Sequence, residues 1–437
     1  MILYRAPLLD APTLGQLRFI EDGALLVDET GRIAGSGPFS QFASQSDAKG
    51  IDLRPSWLLP GLVDLHVHLP QYEAVAMDGL ELLPWLETHI FPAEMAFWDP
   101  ALAARRATRF FADLLAWGTT TAVTYTTVHA EATDAAFRAA EACGIRAVLG
   151  KVMMDRNAPP ELTEDTAASL RESEALIRAW DGRDGGRLRY ALTPRFAPSC
   201  TPELLRGAGA LSERYGCFVQ SHLSENLDEL RWVRELFPEA ESYTDVYRRH
   251  GLLHGRALYG HGIHLSEPER RMIREAGSIL VHCPTSNAFL KSGIMPARRW
   301  LDEGLRVGLG TDVGAGTSLS MWAEAAMACT VSKLRWAEAH HRDPAGDGAP
   351  DRPLGSAEAF HLATAAGGRA LGAPVGRLEA GLEADLLVVD PSITDPAGRS
   401  MDLPERILAR LLYRADPRMV KAVLVRGKLC HGTLPEG

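Results

Sequence analysis

Cysteine is sparse in this chain and never paired in spacing. Six residues, Cys143, Cys200, Cys217, Cys283, Cys329 and Cys430, are scattered over 437 positions without a Cys-x-x-Cys motif. That excludes a disulfide framework and a zinc-finger site. No apolar run approaches the ~18 residues that a membrane span needs. The opening MILYRAPLLDAPTLG has no basic segment ahead of a long apolar core, so no secretory signal is expected. Clusters of Lys and Arg are missing as well, and the formal net charge is −10. A nucleic acid or an anionic membrane surface is therefore a poor partner. A small uncharged substrate and a cytoplasmic, reduced setting are expected instead.

What the chain does have is core material, with 46% hydrophobic and 23% charged residues, the balance of a soluble globular protein. Eight short apolar or β-branched runs alternate with amphipathic ones: LLPGLVDLHVH, TTTAVTY, RAVLGKVMM, LRYALTPRF, CFVQSHLSE, ALYGHG, SILVHCP and RVGLGTD. Helical patterns such as ALAARRATRFFADLLAW and EPERRMIREAG fall between them, and TPELLRGAGALSERY starts with Thr201 as N-cap. Eight strands each followed by a helix predict an α/β fold, a (β/α)8 TIM-type barrel over residues 58–371. The rival, a doubly wound open sheet, wants a glycine-rich GxGxxG turn after its first strand, and PGLVDLHVH offers none. The flanks, 1–57 and 372–437, read as short strands with Gly/Asp turns and are each too small for a good core. They are expected to join as one small β-sandwich made from both chain ends. HHRDPAGDGAPDRPLGS, 340–356, is expected to be a surface loop and DGRDGG, 181–186, a turn.

In such barrels chemistry sits at the carboxyl ends of the strands. His66 and His68 end the first strand and share a face, because strand side chains alternate. Strand five ends with His222, strand six with His261 and strand eight with Asp312. Nitrogen and oxygen donors converging on one barrel mouth predict a metal site, suited to Zn2+ or Fe2+ and lacking thiolate. A buried network of bare imidazoles would be costly without a cation. Glu225, three residues beyond His222, stands where a carboxylate can act as general acid and base. Alone it would read as a helix-start Glu favoured by the helix dipole. His129, His250, His254, His264, His340, His341 and His431 fall in loops or exposed faces, and His89 and His361 in helical stretches; no metal role is expected of them.

PGLVDLHVHLPQY, PWLETHIFPAE, TPRF, QSHLSEN, HCPTSN and GLGTDVGAG resemble motifs of the amidohydrolase superfamily, in its mononuclear aminohydrolase branch, across essentially the whole chain. The resemblance implies one Zn2+ per chain, with Fe2+ as the other acceptable ion, ligated by His66, His68, His222 and Asp312. It implies Glu225 as proton shuttle, His261 beside the attacking water and Asp312 as a proton acceptor in catalysis. Gln71, Arg195 and Phe196, together with His222 and Glu225, would hold a purine. Without the resemblance Arg195 reads as a barrel-rim salt bridge and Phe196 as a core aromatic. The implied reaction is hydrolytic deamination of guanine to xanthine and ammonia. The alternative is the same machinery acting on another nucleobase, a triazine or an adenosine-type nucleoside. Binuclear members of the superfamily bridge two metals with a carboxylated lysine, most often from strand four. Strand four here ends in TPRF without one, and Lys151 in strand three reads as barrel interior or site support. WLETHIFPAE is expected to form a lid, and a homodimer is implied by resemblance alone.

Overall fold

The computed structural model describes residues 1–45, 47–342, 352–395 and 403–435. Eight parallel strands follow one another around a barrel: Leu62–His68, Thr119–Tyr125, Arg146–Gly150, Leu188–Pro194, Phe218–Leu223, Ala257–His261, Ile279–His282 and Arg306–Leu309. All eight expected strands are present. The ring closes where Asp312 N–H donates to His66 O at 2.8 Å and His68 N–H donates to Val313 O at 3.0 Å. Closure thus uses the backbone of the residues whose side chains carry the chemistry.

The expected helices surround it, among them Pro100–Ala116, Pro202–Tyr215 and Glu267–Ala276. Thr201 caps the second of these, its hydroxyl accepting from Leu204 N–H at 3.2 Å. The stretch 181–186 ends in a short helical turn, Arg183–Gly186, with Asp184 and Gly185 at positive φ. Most of 340–356 lies outside the described residues; His340 and His341 continue the helix Met321–Arg342. Among the described residues no helix is long and apolar enough to cross a membrane.

The first strand is not a plain alternation. Val63 and Leu65 pack in the barrel-interior cluster with Val123, Val148, Leu258 and Ile279. Period two would then send residue 67 inward and His66 and His68 outward. Between Asp64 and Val67 the register against the neighbouring strand slips by one residue, as Asp64 faces Ala122 and Val67 faces Thr124. The extra residue is a bulge that exchanges the two faces. Val67 joins the outer core, and both histidines reach the barrel mouth above an apolar plug.

The chain ends meet in one connected eight-stranded sheet, joined where Leu386–Val389 runs antiparallel to Trp57–Pro60. Its strands alternate between two cores. Leu58, Leu386, Val388, Ala422 and Leu424 enter the sheet's own cluster with Tyr4 and Leu25. Leu59, Leu387, Val389, Val423 and Val425 enter the main core of the barrel and its helices. Each such side chain, fully buried, is worth roughly 1.5–3 kcal/mol, so the sheet is bound to the barrel along its length. Buried Arg146, on the third barrel strand, adds an ion pair to Asp385 at 3.1 Å.

Candidate active site

The strand-end donors do converge. His66 Nε2 lies 3.2 Å from His68 Nε2, and His68 Nε2 lies 3.3 Å from His222 Nε2. Asp312 Oδ1 stands 3.1 Å from both His66 Nε2 and His68 Nε2. His66, His222, His261 and Asp312 each offer a donor atom, all within 4.8 Å of one another. All five side chains therefore crowd one point.

Backbone geometry aims them there. His261 has φ 72° and Asp312 φ 49°, left-handed values that a strand does not use and that cluster at functional sites. Two glycines clear the space: a Cβ at Gly260 would lie 2.6 Å from His66 Cε1, and one at Gly310 would lie 2.6 Å from His66 Cβ. Second-layer bonds set the tautomers. His222 Nδ1 donates to Arg195 O at 2.6 Å, and His261 Nδ1 donates to Asn287 Oδ1 at 2.9 Å. Each leaves an Nε2 lone pair facing the cluster, as metal-binding imidazoles require. Tyr125 stacks on His68 with centroids 4.4 Å apart and closes the far side of the rings.

The electrostatics agree. Burial lowers His68 to about 3, despite Asp312 beside it, and burial with the neighbouring histidines holds His222 well below its usual range. Both rings are neutral, the ligating form. Burial pushes Asp312 up, but the His66 and His68 rings outweigh it and hold the carboxyl well below the carboxylate range. Several neutral imidazoles and one carboxylate, buried with their lone pairs turned on one another, are a donor set for a divalent cation. His261 Nε2 has no hydrogen-bond partner although it is buried, a further sign that the residues fit a cation.

Glu225 stands beside this cluster, its Oε2 3.3 Å from His261 Nε2. Burial, then the charges of Asp312 and Glu229, push its carboxyl well above the ordinary range. Ser292 Oγ donates to its other oxygen at 3.2 Å. The turn that carries it is fixed by Glu229, whose Oε2 accepts from Glu225 N–H at 2.9 Å and Asn226 N–H at 3.2 Å. Tyr243 holds the other oxygen of Glu229 at 2.8 Å.

A narrow cavity opens between these groups. His68, His222, Glu225 and Asp312 line it together with Gln71, Arg195 and Phe196, with Leu82, Trp85 and Leu86 as its cover. That cover comes from the expected lid: helical turns Leu82–Trp85 and Phe91–Met95 with the turns between and after them. Every predicted site residue therefore reaches one place. Lys151 takes no part, its ammonium held by Glu164 and by Ser169 Oγ.

Sequence reasoning passed over Tyr125, Glu94, Glu229 and Asn287. Tyr125 met the strand-end test that singled out the histidines but was read as a plain strand residue. Glu229 completes an Asn-x-x-Glu capping box with Asn226. Glu94 and Asn287 lie inside quoted motifs, but only tertiary contacts show what they hold.

Comparison with known proteins gives the same answer. The model of the amidohydrolase family matches residues 57–430. The chain is similar to guanine deaminase of Escherichia coli (strain K12), 37% identical over 424 residues, covering 95% of this chain and 92% of that protein. Among solved structures it is similar to guanine deaminase from C. acetobutylicum with guanine bound in the active site, at TM-score 0.91 and 35% identity over 98% of this chain and 99% of that one. It is also similar to an adenosine deaminase from Xanthomonas campestris with bound zinc, at TM-score 0.83 and 25% identity over 98% and 92% of the two chains. A family match reaching from the strand before the first barrel strand to the last strand of the joined sheet leaves one placement: the chain belongs to the amidohydrolase family.

Proposed function

We propose that this protein hydrolyses guanine to xanthine and ammonia, as the similarity to guanine deaminases over almost its whole length supports. The observation that carries the reading is the cavity's lining, which brings members of the donor cluster and Glu225 together with Gln71, Arg195 and Phe196. Donors and acceptors there match the polar edges of a purine, and the Phe196 ring offers it a face.

His66, His68, His222 and Asp312 would hold the ion, one zinc per chain by likeness to the zinc-bound relative, with iron the other ion these donors accept. A divalent ion there supplies Lewis acidity, lowering the pKa of water from about 15.7 toward 7. Glu225 takes a proton from the water that adds at C2, delivers it to N3 of the ring, and later passes the second water proton, first taken up by Asp312, to the departing ammonia. Such general acid–base help is worth about 10²–10⁴-fold. Its raised proton affinity suits a group that must take up a proton and hand it on. His261 Nε2, its tautomer set by Asn287, accepts a hydrogen bond from the adding oxygen. Asp312 accepts a proton on its free oxygen. Leu82, Trp85 and Leu86 exclude bulk water. The same reading places the protein in the cytoplasm, in purine breakdown and as a homodimer, the last checked by its mass in solution.

The test is ultraviolet absorbance change with ammonia release across guanine, cytosine, an aminotriazine and adenosine, alongside metal analysis of the purified protein. Turnover of guanine with zinc or iron bound is expected. Activity on cytosine or adenosine without guanine would overturn the substrate, and a metal-free active protein would overturn the ligand assignment.

A further inference from the structure

Among the described residues lining the cavity, Arg195 is the single Lys or Arg side chain. Its charge is already taken. Glu94, only 1% exposed, places Oε1 at 2.5 Å and Oε2 at 2.6 Å from Arg195 Nη1. Glu94 Oε1 also accepts from Gln71 Nε2 at 3.2 Å, while Gln71 Oε1 accepts from Gly314 N–H at 3.2 Å. One buried carboxylate behind the cavity wall therefore orients both polar side chains that face the purine. It also sets which way round the Gln71 amide stands. The guanidinium and its partner are neutral as a pair, and the remaining ionisable carboxyl groups that line the cavity, Glu225, Glu229 and Asp312, are acidic.

We propose that Glu94 is a positioning residue that makes this cavity select a neutral polar heterocycle and turn away an anionic one. The proposal rests on the reading of guanine as substrate. A bare guanidinium would attract carboxylates, phosphates and ionised purines bidentately. Paired with Glu94, it keeps its directional donors and loses its net attraction for anions. The dioxopurine product, whose ring N–H groups are more acidic than those of guanine, is partly ionised near neutral pH, and the same pairing favours release of that ionised fraction.

The experiment uses metal-loaded wild type, Glu94→Gln and Glu94→Asp, with guanine as substrate and urate, an anionic purine at neutral pH, as competitor. In Glu94→Gln the KM for guanine is expected to rise at least about tenfold, the usual effect of losing a charged hydrogen bond. The kcat is expected to change less than about threefold, and metal content not at all. Urate inhibition should strengthen by about tenfold. Those opposite directions separate the proposal from general damage, which weakens both ligands together. Weakening of both, or no change in either, overturns it. Glu94→Asp keeps the charge and should show a smaller rise in KM with urate inhibition as in wild type. If Glu94→Gln is insoluble, this variant decides: a raised KM with unchanged urate inhibition supports the proposal, and an unchanged KM sinks it. A wild type that leaves guanine untouched removes the substrate reading instead, and direct calorimetry of urate binding to the three proteins still decides the charge argument.

Discussion

The donors of the cavity floor sit on ends of barrel strands, their backbones hydrogen-bonded into the ring that closes between Asp312 and His66. The cover, residues 82–98, has no such ladder. It is a string of short helical turns held by apolar packing of Trp85, Leu86, Ile90 and Phe91 against Tyr125, Met154 and Leu290. Glu94 ties it down to Arg195, and the Trp85 indole N–H donates to Met77 O at 2.9 Å. The floor thus owes its precision to covalent geometry and backbone bonds, which leave little room for movement. The cover owes its position to side-chain contacts, the kind of link that local opening can break. Chemistry belongs on the first, and selection and closure on the second.

The largest effect expected from this contrast is on the floor. Glu225→Gln keeps the shape and removes the proton, so turnover should fall by at least ~10² while metal content and the KM for guanine stay near wild type. Steady-state kinetics with metal analysis reads both. Near-normal turnover would remove Glu225 from the chemistry and with it the division of labour.

Next comes a change that never touches substrate. In Gly260→Ala the new methyl meets the His66 ring, and neither the strand backbone nor His66, hemmed in by Gly310, can give way cheaply. The ring must turn out of line, and metal affinity should drop about 10–100-fold, the range found when a ligand loses its orientation. Competition with a chelator measures it. Unchanged affinity would mean that the floor tolerates movement after all.

Floor and cover also differ in how plainly the sequence announces them. His66, His68, His222, His261 and Asp312 stand out because strands end where apolar runs end, and a barrel gathers its strand ends at one mouth. The alternation that joins the two chain ends to the barrel, Leu386 and Val388 one way and Leu387 and Val389 the other, is equally open to a period-two reading. The bulge between Asp64 and Val67 is not, because register is a property of two strands and no pattern in one of them declares it. Nor are the left-handed backbones of His261 and Asp312, residues for which composition predicts ordinary strand geometry. Arg195 and Glu94 lie 101 positions apart, and only the folded chain reveals that two motifs seen as a substrate clamp and a lid are one buried ion pair.

The smallest expected effect is on the cover, at Leu86. This side chain lines the cavity and, with Phe196, also lines an outer cleft that holds Trp232, Asp228 and Arg231. It is thus part of the partition between closed site and open surface. Leu86→Ala removes apolar volume where the purine would pack and thins the partition, yet leaves every donor and every hydrogen bond of the floor in place. A few lost methyl and methylene contacts in a pocket cost about 1–1.5 kcal/mol of binding, or roughly tenfold in KM. The kcat should fall less, because the groups that move protons are undisturbed, and bound metal should be unaffected. Exchange of backbone hydrogens with deuterium should quicken across residues 82–98 and stay slow in the barrel strands, since the cover lacks a ladder to hold it when its packing loosens. A variant in which kcat and metal content fall together would show that the cover supports the floor mechanically, and the two regions would then have to be treated as one unit.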